Sequence, residues 1–289
     1  MTASRILLLS LVLALGACGG TAADTTSDDT VSDTTGDESA PPSALDVPSG
    51  DLAAAIAGAH RSDDNRTRDA YRHPLETLTF FGIQPNMHVI EVRPGGGWYT
   101  EILAPYLRDQ GELVAAIPSA EGRRAQYRQR FLDRQSSRPD VFGGLETVVF
   151  EPPAPIELGE DGSTDMVLTF RNTHNWVGDE GERQAFEAFF RVLRPGGVLG
   201  VVQHRAAEGA DPQAGTGYVP EAYVIEVAQA AGFVLEESSE LNANPNDTHD
   251  HPEGVWTLPP VYRLGDADRA TYEAIGESDR MTLRFRRPQ

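Results

Sequence analysis

Short apolar runs alternate with helix-period patterns along most of the chain. Predicted helices lie between the strands, over residues 98–107, 120–135, 179–193 and 219–231. This alternation of strands and helices predicts an α/β fold with a mostly parallel sheet. The predicted strands are residues 87–92, 112–117, 146–150, 164–170, 198–203, 233–237 and 281–286.

The segments before the first strand and before the last strand lead to two further predictions. Before the first strand, helices are predicted over 51–61, over 63–72 with Asp63 and Asp64 as caps, and from Pro74 to a stop at Gly82. Near the carboxyl terminus, a long polar stretch over 238–279 separates the last two strands. No crossover helix is evident in it, so the last strand is expected to run antiparallel to the strand before it.

The stretch 89–100, VIEVRPGGGWYT, is the most informative part of the pattern. Three glycines, Gly95 to Gly97, follow the first strand, and a helix opens behind them. Glycine lets the backbone approach a ligand closely, and a helix N-terminus presents unpaired N–H groups. This unit predicts a cofactor site, with an ordinary tight strand-to-helix turn as the alternative.

Two nucleotide sites fit this stretch less well. A dinucleotide G-x-G-x-x-G motif would place glycine at Thr100, and the acid expected about 20 residues later is missing. All 24 basic residues are arginine, which excludes a P-loop lysine and a Schiff-base lysine.

The amino terminus differs from the rest of the chain. One Arg and an apolar run over 6–15 are typical of a secretory signal, and Cys18, the single cysteine, follows Gly16 and Ala17. Residues 19–50 are rich in Thr, Asp, Ser, Gly and Pro, which predicts a flexible tether. The expected organisation is a signal peptide over 1–17, a tether over 18–50 and one folded domain over 51–289.

The segment around Cys18 resembles the lipobox of bacterial lipoproteins. That resemblance implies cleavage before Cys18, its lipidation, and an exported domain anchored to the membrane of the cell envelope. The net charge of −20 makes nucleic acid and anionic membrane surfaces poor partners.

Three stretches, VIEVRPGGGWYTEILAPYL, TDMVLTFRNTHNW and FFRVLRPGGVLGVVQH, together resemble class I S-adenosyl-L-methionine (SAM)-dependent methyltransferases. The segments RHPLETLTFFG and ESDRMTLRFRRP are similar to a group of exported methyltransferases with unassigned substrates. The resemblance implies a Rossmann-like, seven-stranded sheet with helices on both faces and the last strand antiparallel. It also implies SAM as the cofactor.

The resemblance assigns roles to individual residues. Glu91 matches the acid that orders the loop and contacts the cofactor's amino group through it, and the glycines pass beside the methionine part of SAM. Two positions depart from the family pattern: Arg93 replaces a motif glycine, and Ile117-Pro118-Ser119 replaces the acid that holds the ribose. The expected cofactor-binding residues are Glu91, Gly95, Gly96, Gly97, Ser119, Asp165 and Arg171.

The segment after strand four is the expected place for chemistry, because ligands lie beyond the carboxyl ends of parallel strands. His174 is the candidate general base and Asn172 the candidate amide donor. A hydrogen-bonded structural histidine is an equal alternative for His174. His73 and Glu76 are weaker candidates for lining the pocket, and His204 beyond strand five is another.

Two polar clusters have less specific patterns. Residues 246–251, NDTHDH, contain metal-ligand types, but their spacing matches no tight metal signature, which favours a polar loop or a lid. The arginine run over 123–134 is expected to be a solvated helix face.

These patterns support three functional hypotheses. The first is a SAM-dependent methyltransferase acting on a small or envelope-associated acceptor. The second is a catalytically inactive or repurposed ligand-binding lipoprotein on the same fold, favoured by Arg93 and the missing strand-two acid. The third, a metal-dependent hydrolase using residues 247–251, has the least support.

Overall fold

The computed structural model of the protein describes residues 46–213 and 215–289. The predicted signal peptide, Cys18 and most of the predicted tether lie outside the described residues. Within those ranges, no helix is both long enough and apolar enough to cross a membrane.

One seven-stranded sheet organises the described chain, in the order β3-β2-β1-β4-β5-β7-β6. The first five strands are parallel, whereas β7 runs antiparallel to both β5 and β6. The predicted sheet and the predicted direction of its last strand are confirmed. The strands are β1 (His88–Val92), β2 (Glu112–Ile117), β3 (Glu146–Val149), β4 (Thr164–Phe170), β5 (Leu193–His204), β6 (Val234–Ser239) and β7 (Arg280–Arg286).

Helices connect these strands and cover both faces of the sheet. They are α1 (Leu52–Ala57), α2 (Asp63–Arg66), α3 (Asp69–Arg72), α4 (Pro74–Phe81), α5 (Thr100–Leu107), α6 (Ala125–Ser137), α7 (Pro139–Phe142), α8 (Thr173–Gly178), α9 (Glu182–Val192), α10 (Glu221–Ala230) and α11 (Arg269–Ile275). A 3₁₀ turn lies at Gly254–Thr257.

Successive strand residues point to opposite faces, which creates two separate hydrophobic cores. In β1, Val89 packs with α1, α4, α5 and α7 on one face. Ile90 packs with α8, α9 and α10 on the other. Because both faces of β1 are covered, the strand is apolar apart from His88 at its start and Glu91 near its end.

The amino-terminal segment differs from the prediction in two respects. Val47 is buried among the core residues, so the folded part includes residues before the expected boundary at 51. The predicted helix over 63–72 is divided into α2 and α3, and Ser62 rather than Asp63 or Asp64 caps α2 by accepting a bond from the N–H of Asn65. The hydroxyl of Ser62 lies one position before the first helical residue, where a cap must be.

Several short helices were not predicted. Helices α7 and α11 were expected to be loops, and α8 occupies most of the segment after β4 that was expected to be irregular. Helix α6 also begins five residues later than expected, at Ala125. Helices of four to seven residues are unstable alone and form through tertiary packing, which leaves no clear periodic signal in the sequence.

Candidate functional site

The turn that follows β1 has a left-handed backbone at three of its residues. Arg93 has φ of 49°, Gly95 of 62° and Gly97 of 78°, all in the left-handed region. A Cβ atom added at Gly95 or Gly96 would meet no protein atom within 4 Å. Both glycines line a cavity among the described residues, so their missing side chains leave space there for a ligand.

Arg93 occupies a position where the methyltransferase pattern has glycine, and it adopts the positive φ that the turn requires. Its guanidinium lies 3.2 Å from the carboxylate of Glu151 and over the ring of Phe150. Burial and the neighbouring Arg124 lower the pKa of Arg93 to about 10, although Glu151 opposes the shift. These contacts offset the cost of a positive φ in a non-glycine residue.

Glu91 lies beneath the glycine turn and is 2% exposed. Its carboxylate accepts a hydrogen bond from the hydroxyl of Thr100 at 2.6 Å. Burial raises the pKa of Glu91 to about 7, although the Thr100 hydroxyl opposes this. The expected ligand acid is therefore in place at the cavity wall, and it changes ionisation near neutral pH.

Asn172 supports the same turn from β4. Its amide donates to the carbonyl of Val92 at 2.9 Å and to that of Arg93 at 3.3 Å. Both carbonyls belong to the segment that leads into the glycines. The side chain predicted to be catalytic is therefore engaged in fixing the turn, although Asn172 also lines the cavity.

The cavity has a volume of about 850 Å³ and opens at the carboxyl ends of the parallel strands. That volume is at the upper end of the range of about 300–1,000 Å³ that ligand pockets occupy. On the β1–β2 side its wall includes Gly95, Gly96, Ile117 and Pro118. On the β4–β5 side it includes residues 170–172, 174, 175 and 204, and residues 255, 256 and 259–261 also line it.

The end of β2 lacks the carboxylate that holds ribose in the family pattern. Ser119 donates its hydroxyl to the carbonyl of Glu121 at 2.6 Å, and its N–H donates to Glu151 at 3.2 Å. Glu151 approaches this position from β3, but its carboxylate is paired with Arg93 and Arg124. Ser119 itself is not among the residues that line the cavity.

His174 and His204 lie side by side at the ends of β4 and β5, with ring centroids 5.6 Å apart. Nδ1 of His174 contacts the Gln203 amide, and Nδ1 of His204 contacts the hydroxyl of Ser278. Loss of hydration lowers the pKa of His174 to about 4 and that of His204 well below its usual value. Both rings line the cavity and are neutral at physiological pH, so each could accept a proton, but only as a weak base.

Arg171 also lies at the cavity wall, with a φ of 60°. Loss of hydration lowers the pKa of Arg171 to about 10, although the negative charge of Glu277 raises it. The side chain therefore stays cationic at neutral pH. Arg171 therefore lies where it can contact a bound molecule, and its expected role in cofactor binding stays a prediction.

An aromatic stack forms another part of the wall. The rings of Tyr99 and Phe170 are nearly parallel, with centroids 3.5 Å apart. Trp98 packs against Tyr99 and contacts the guanidinium groups of Arg61 and Arg72, which are 4.9 and 4.6 Å from its ring centroid. These flat surfaces suit a ligand with a planar or cationic part.

The expected cofactor role of Asp165 needs correction. Asp165 is near the start of β4, at the edge of the sheet opposite the cavity. It accepts a hydrogen bond from the N–H of His88 at 2.8 Å and pairs with Arg194. Because the amino ends of parallel strands meet at one edge, this carboxylate joins the starts of β1 and β5 and cannot reach a ligand beyond their other ends.

Other expected pocket residues also lie elsewhere. His73, with φ of 40°, joins α3 to α4, and neither it nor Glu76 lines the cavity. Arg72, the preceding residue, does line it. The arginine run is not a uniformly solvated face, because Arg124 pairs with Glu151 and Asp179 and is mostly buried.

Residues 246–251 form a hydrogen-bonded hub rather than an open ligand set. Asp247 is 3% exposed and accepts bonds from the Tyr218 hydroxyl, from His251 and from the N–H of Asp279. Across residues 46–213 and 215–289, no group of three or more His, Cys, Asp and Glu side chains is arranged to hold a metal ion.

The sequence interpretation missed one polar part of the cavity wall. Arg68, Arg72, Glu277 and Ser278 all line it, but they come from the two ends of the folded chain. The only available signal was that Arg72 and Glu277 belong to the two segments singled out as similar to exported methyltransferases. Trp256, in the polar stretch, also lines the cavity and had no periodic signal.

No family model matches the chain, and no curated protein matches it. Solved structures do. A SAM-dependent methyltransferase from Aquifex aeolicus has a TM-score of 0.50 at 13% identity, covering 76% of this chain and 93% of that chain. A provisionally assigned sarcosine dimethylglycine methyltransferase from Galdieria sulphuraria has a TM-score of 0.51 at 15% identity, covering 85% and 93%.

The PH0226 protein from Pyrococcus horikoshii has a TM-score of 0.50 at 15% identity, covering 79% of this chain and 93% of that chain. These likenesses, with the strand order, show that the chain has the Rossmann-like fold of SAM-dependent methyltransferases. At such low identity they show the fold alone.

Proposed function

We propose that this protein is a SAM-dependent methyltransferase. The observation that carries the proposal is the pairing of buried Glu91 with an open glycine cradle at the carboxyl end of β1, inside a cavity of about 850 Å³. This pairing occurs at the position where open α/β sheets bind their ligands.

The residues present fit the methionine part of SAM. Gly95 and Gly96 leave the space that a Cβ would fill, and ionised Glu91 supplies a negative charge beside it. The ribose side fits less well, because Ser119 stands where the family pattern has an acid. When bound, SAM supplies an activated methyl group on a positively charged sulfur for in-line displacement.

The chain's own residues position and protect the reactants. The Asn172 amide holds the glycine turn by donating to the carbonyl of Val92. The stacked rings of Tyr99 and Phe170 exclude water from one wall of the cavity. Neutral His174 has no protein partner at Nε2 among the described residues, so this nitrogen is free to accept a proton from an acceptor.

A second candidate function is ligand binding without methyl transfer. Two observations favour it: Arg93 in place of a motif glycine, and the lack of a carboxylate at the end of β2. The two functions share a binding step and differ only in turnover. A test must therefore measure binding and transfer separately.

We further propose that the domain acts outside the cytoplasm, held to the envelope through a lipid on Cys18, and that its acceptor is a small molecule or an envelope component. Support for this comes from the apolar run over 6–15 and the Gly16-Ala17-Cys18 segment. Labelling cells with a radioactive fatty acid tests it, because a Cys18→Ser variant should lose the label.

Calorimetric titration with SAM and with S-adenosylhomocysteine (SAH) tests the binding step. We expect saturable 1:1 binding of both. No binding at millimolar ligand would refute the methyltransferase proposal. Incubation with methyl-labelled SAM and a cell-envelope extract tests transfer, since binding without label incorporation would favour the second candidate.

A further inference from the structure

Four guanidinium groups surround a single buried carboxylate at one end of the cavity. Glu277 is 4% exposed, and its carboxylate lies 2.6 Å from Arg68, 3.4 Å from Arg72 and 3.1 Å from Arg280. Arg171 is the fourth cation that interacts with it. Burial raises the pKa of Glu277, but these arginines lower it to about 2, so the carboxylate is ionised at neutral pH. One negative charge among four guanidinium groups leaves an excess of positive charge.

Several donors of this cluster have no acceptor. Nη1 and Nη2 of Arg72 and Nη2 of Arg68 are buried without a hydrogen-bond partner among the described residues. The Arg72 side chain is only 2% exposed. Burying an unpaired donor or an uncompensated charge raises the free energy of the folded protein. A guanidinium stays protonated at neutral pH, so it cannot avoid this cost by becoming neutral. An anion that accepted these bonds would remove the cost.

The cluster faces the cavity rather than the closed core. Arg68, Arg72 and Arg171 all line the cavity, together with Ser278. In the strand order, the carboxyl ends of β4 and β5 and the start of antiparallel β7 lie on one side of β1, and the end of β2 lies on the other. The cluster is therefore on the side of the glycine turn away from β2.

The sign of this charge contrasts with the rest of the protein. The net charge of the chain is −20, yet this wall carries three cavity-lining arginines against one carboxylate. A cationic wall inside a low-dielectric cleft concentrates the field and selects negatively charged ligands. Arginine is also the side chain best suited to bind carboxylate or phosphate with paired N–H bonds.

We propose that Arg68, Arg72 and Arg171, here called the arginine cluster, bind an oxyanion of the methyl acceptor, so that the substrate class is a carboxylate or phosphate compound. This inference rests on the proposed function, because it assumes that the glycine turn holds SAM. The oxyanion anchors the acceptor beside His174, whose ring lines the same side of the cavity. Neutral acceptors lack the group that would satisfy the arginines.

Calorimetric titration of the SAH-saturated protein with inorganic phosphate, and separately with acetate, tests the cluster at constant ionic strength set with chloride. We expect at least one of the two anions to bind, and the stronger of them identifies the acceptor group as phosphate or carboxylate. Arg171→Gln should weaken that binding about tenfold or more, since a hydrogen bond to a charged group is lost. No anion binding to the wild-type protein would overturn the proposal.

Two further variants make the result specific. Arg183→Gln removes an arginine on α9 that is 55% exposed and outside the cavity, and it should bind the anion as the wild type does. Glu277→Gln removes the competing carboxylate and should tighten anion binding several-fold. Because this effect has the opposite sign, it tests the cluster even if Arg171→Gln fails to fold. Equal binding by the wild type and Glu277→Gln would contradict the proposal.

The carboxylate of SAH itself is the alternative ligand of the arginine cluster. 5′-Methylthioadenosine lacks the amino-acid part of SAH, so the two ligands separate the cases. We expect Arg171→Gln to keep its affinity for both. Loss of SAH affinity with 5′-methylthioadenosine unaffected would overturn the acceptor proposal and leave the methyltransferase proposal standing. Failure of the wild type to bind SAH would refute the methyltransferase proposal instead.

Discussion

The carboxylate of Glu91 accepts a hydrogen bond from the hydroxyl of Thr100 across 2.6 Å, and the two residues are 2% and 0% exposed. Glu91 is near the end of β1, and Thr100 is the first residue of α5. The bond therefore closes the glycine turn by joining the elements on either side of it. Because the pKa of Glu91 is raised to about 7 by burial, its charge depends on pH in the physiological range.

Binding of SAH is expected to strengthen as the pH rises from about 6 to about 8, by up to about tenfold, because ionised Glu91 attracts the ligand's ammonium group. The measurement is calorimetric titration across this pH range. Glu91→Gln should bind more weakly at high pH and lose the pH dependence. Glu146→Gln, at the exposed start of β3, is the matched control and should keep it.

The same ionisation predicts how Glu91 affects stability. Between pH 4.5 and about 7 the folded protein binds the Glu91 proton more tightly than the unfolded chain does. The contribution of Glu91 to the free energy of unfolding therefore falls as the pH rises through this range. The difference in unfolding free energy between wild type and Glu91→Gln should change by about 1.4 kcal/mol per pH unit at most. Urea unfolding at several pH values measures it, and a pH-independent difference would contradict the raised pKa.

Gly96→Val is expected to weaken SAH binding about tenfold or more without destabilising the fold by more than about 0.5 kcal/mol, because a Cβ added at Gly96 would lie in the cavity with no protein atom within 4 Å. Gly178→Val is the control, since Gly178 also has open space around it but lies outside the cavity.

Gly97→Val should instead lower stability by about 1–3 kcal/mol, because Gly97 has φ of 78° and Phe142 is 3.0 Å from its added Cβ. Calorimetry and thermal unfolding separate these effects.

The His174 ring is expected to stay neutral from about pH 5.5 to about pH 8, because loss of hydration lowers its pKa to about 4. The pKa of His174 in the folded protein is below its usual value of 6.5. The stability that the neutral ring contributes is therefore fully present above pH 6.5, and it is lost as the pH falls towards 4. The NMR shift of the His174 ring proton, assigned with a His174→Gln variant, reports this directly. A midpoint near 6.5 would show that the ring is hydrated and disprove this prediction.

Asp165→Asn should reduce stability by about 1 kcal/mol and leave SAH affinity unchanged, because Asp165 joins β1 and β5 at the edge opposite the cavity. Chemical denaturation gives the first quantity and calorimetric titration the second. A loss of SAH affinity without a loss of stability would restore the role expected from the sequence.

Asp247→Asn is expected to destabilise the protein by about 3 kcal/mol, because the buried carboxylate accepts bonds from Tyr218, His251 and the backbone of Asp279. Urea unfolding measures the loss. Asp250→Asn, three residues away and exposed, should have little effect. Equal effects of the two substitutions would argue against a structural hub at Asp247.

The residues of the candidate site differ in how far the sequence could reveal them. Glu91 and the glycines were predictable, because a strand, a glycine turn and a helix are adjacent in the chain and their roles follow from local geometry. Arg171 and His174 were predictable as neighbours of a strand end. The position of Asp165 was also predictable, because it is the second residue of a strand predicted to be parallel and ligands bind beyond the other end of such strands. The cofactor role expected for it did not take this strand direction into account.

The seven strands, the mostly parallel sheet and the glycine turn could be predicted from the chain alone, because short apolar runs and glycine positions are local properties. The charge of the arginine cluster, in contrast, depends on tertiary contacts. Arg68 and Glu277 are 209 positions apart, and their pairing exists only because the fold brings the segment between α2 and α3 next to the segment between α11 and β7. No periodic pattern in a chain encodes such a contact, since it depends on the packing of all the elements between them.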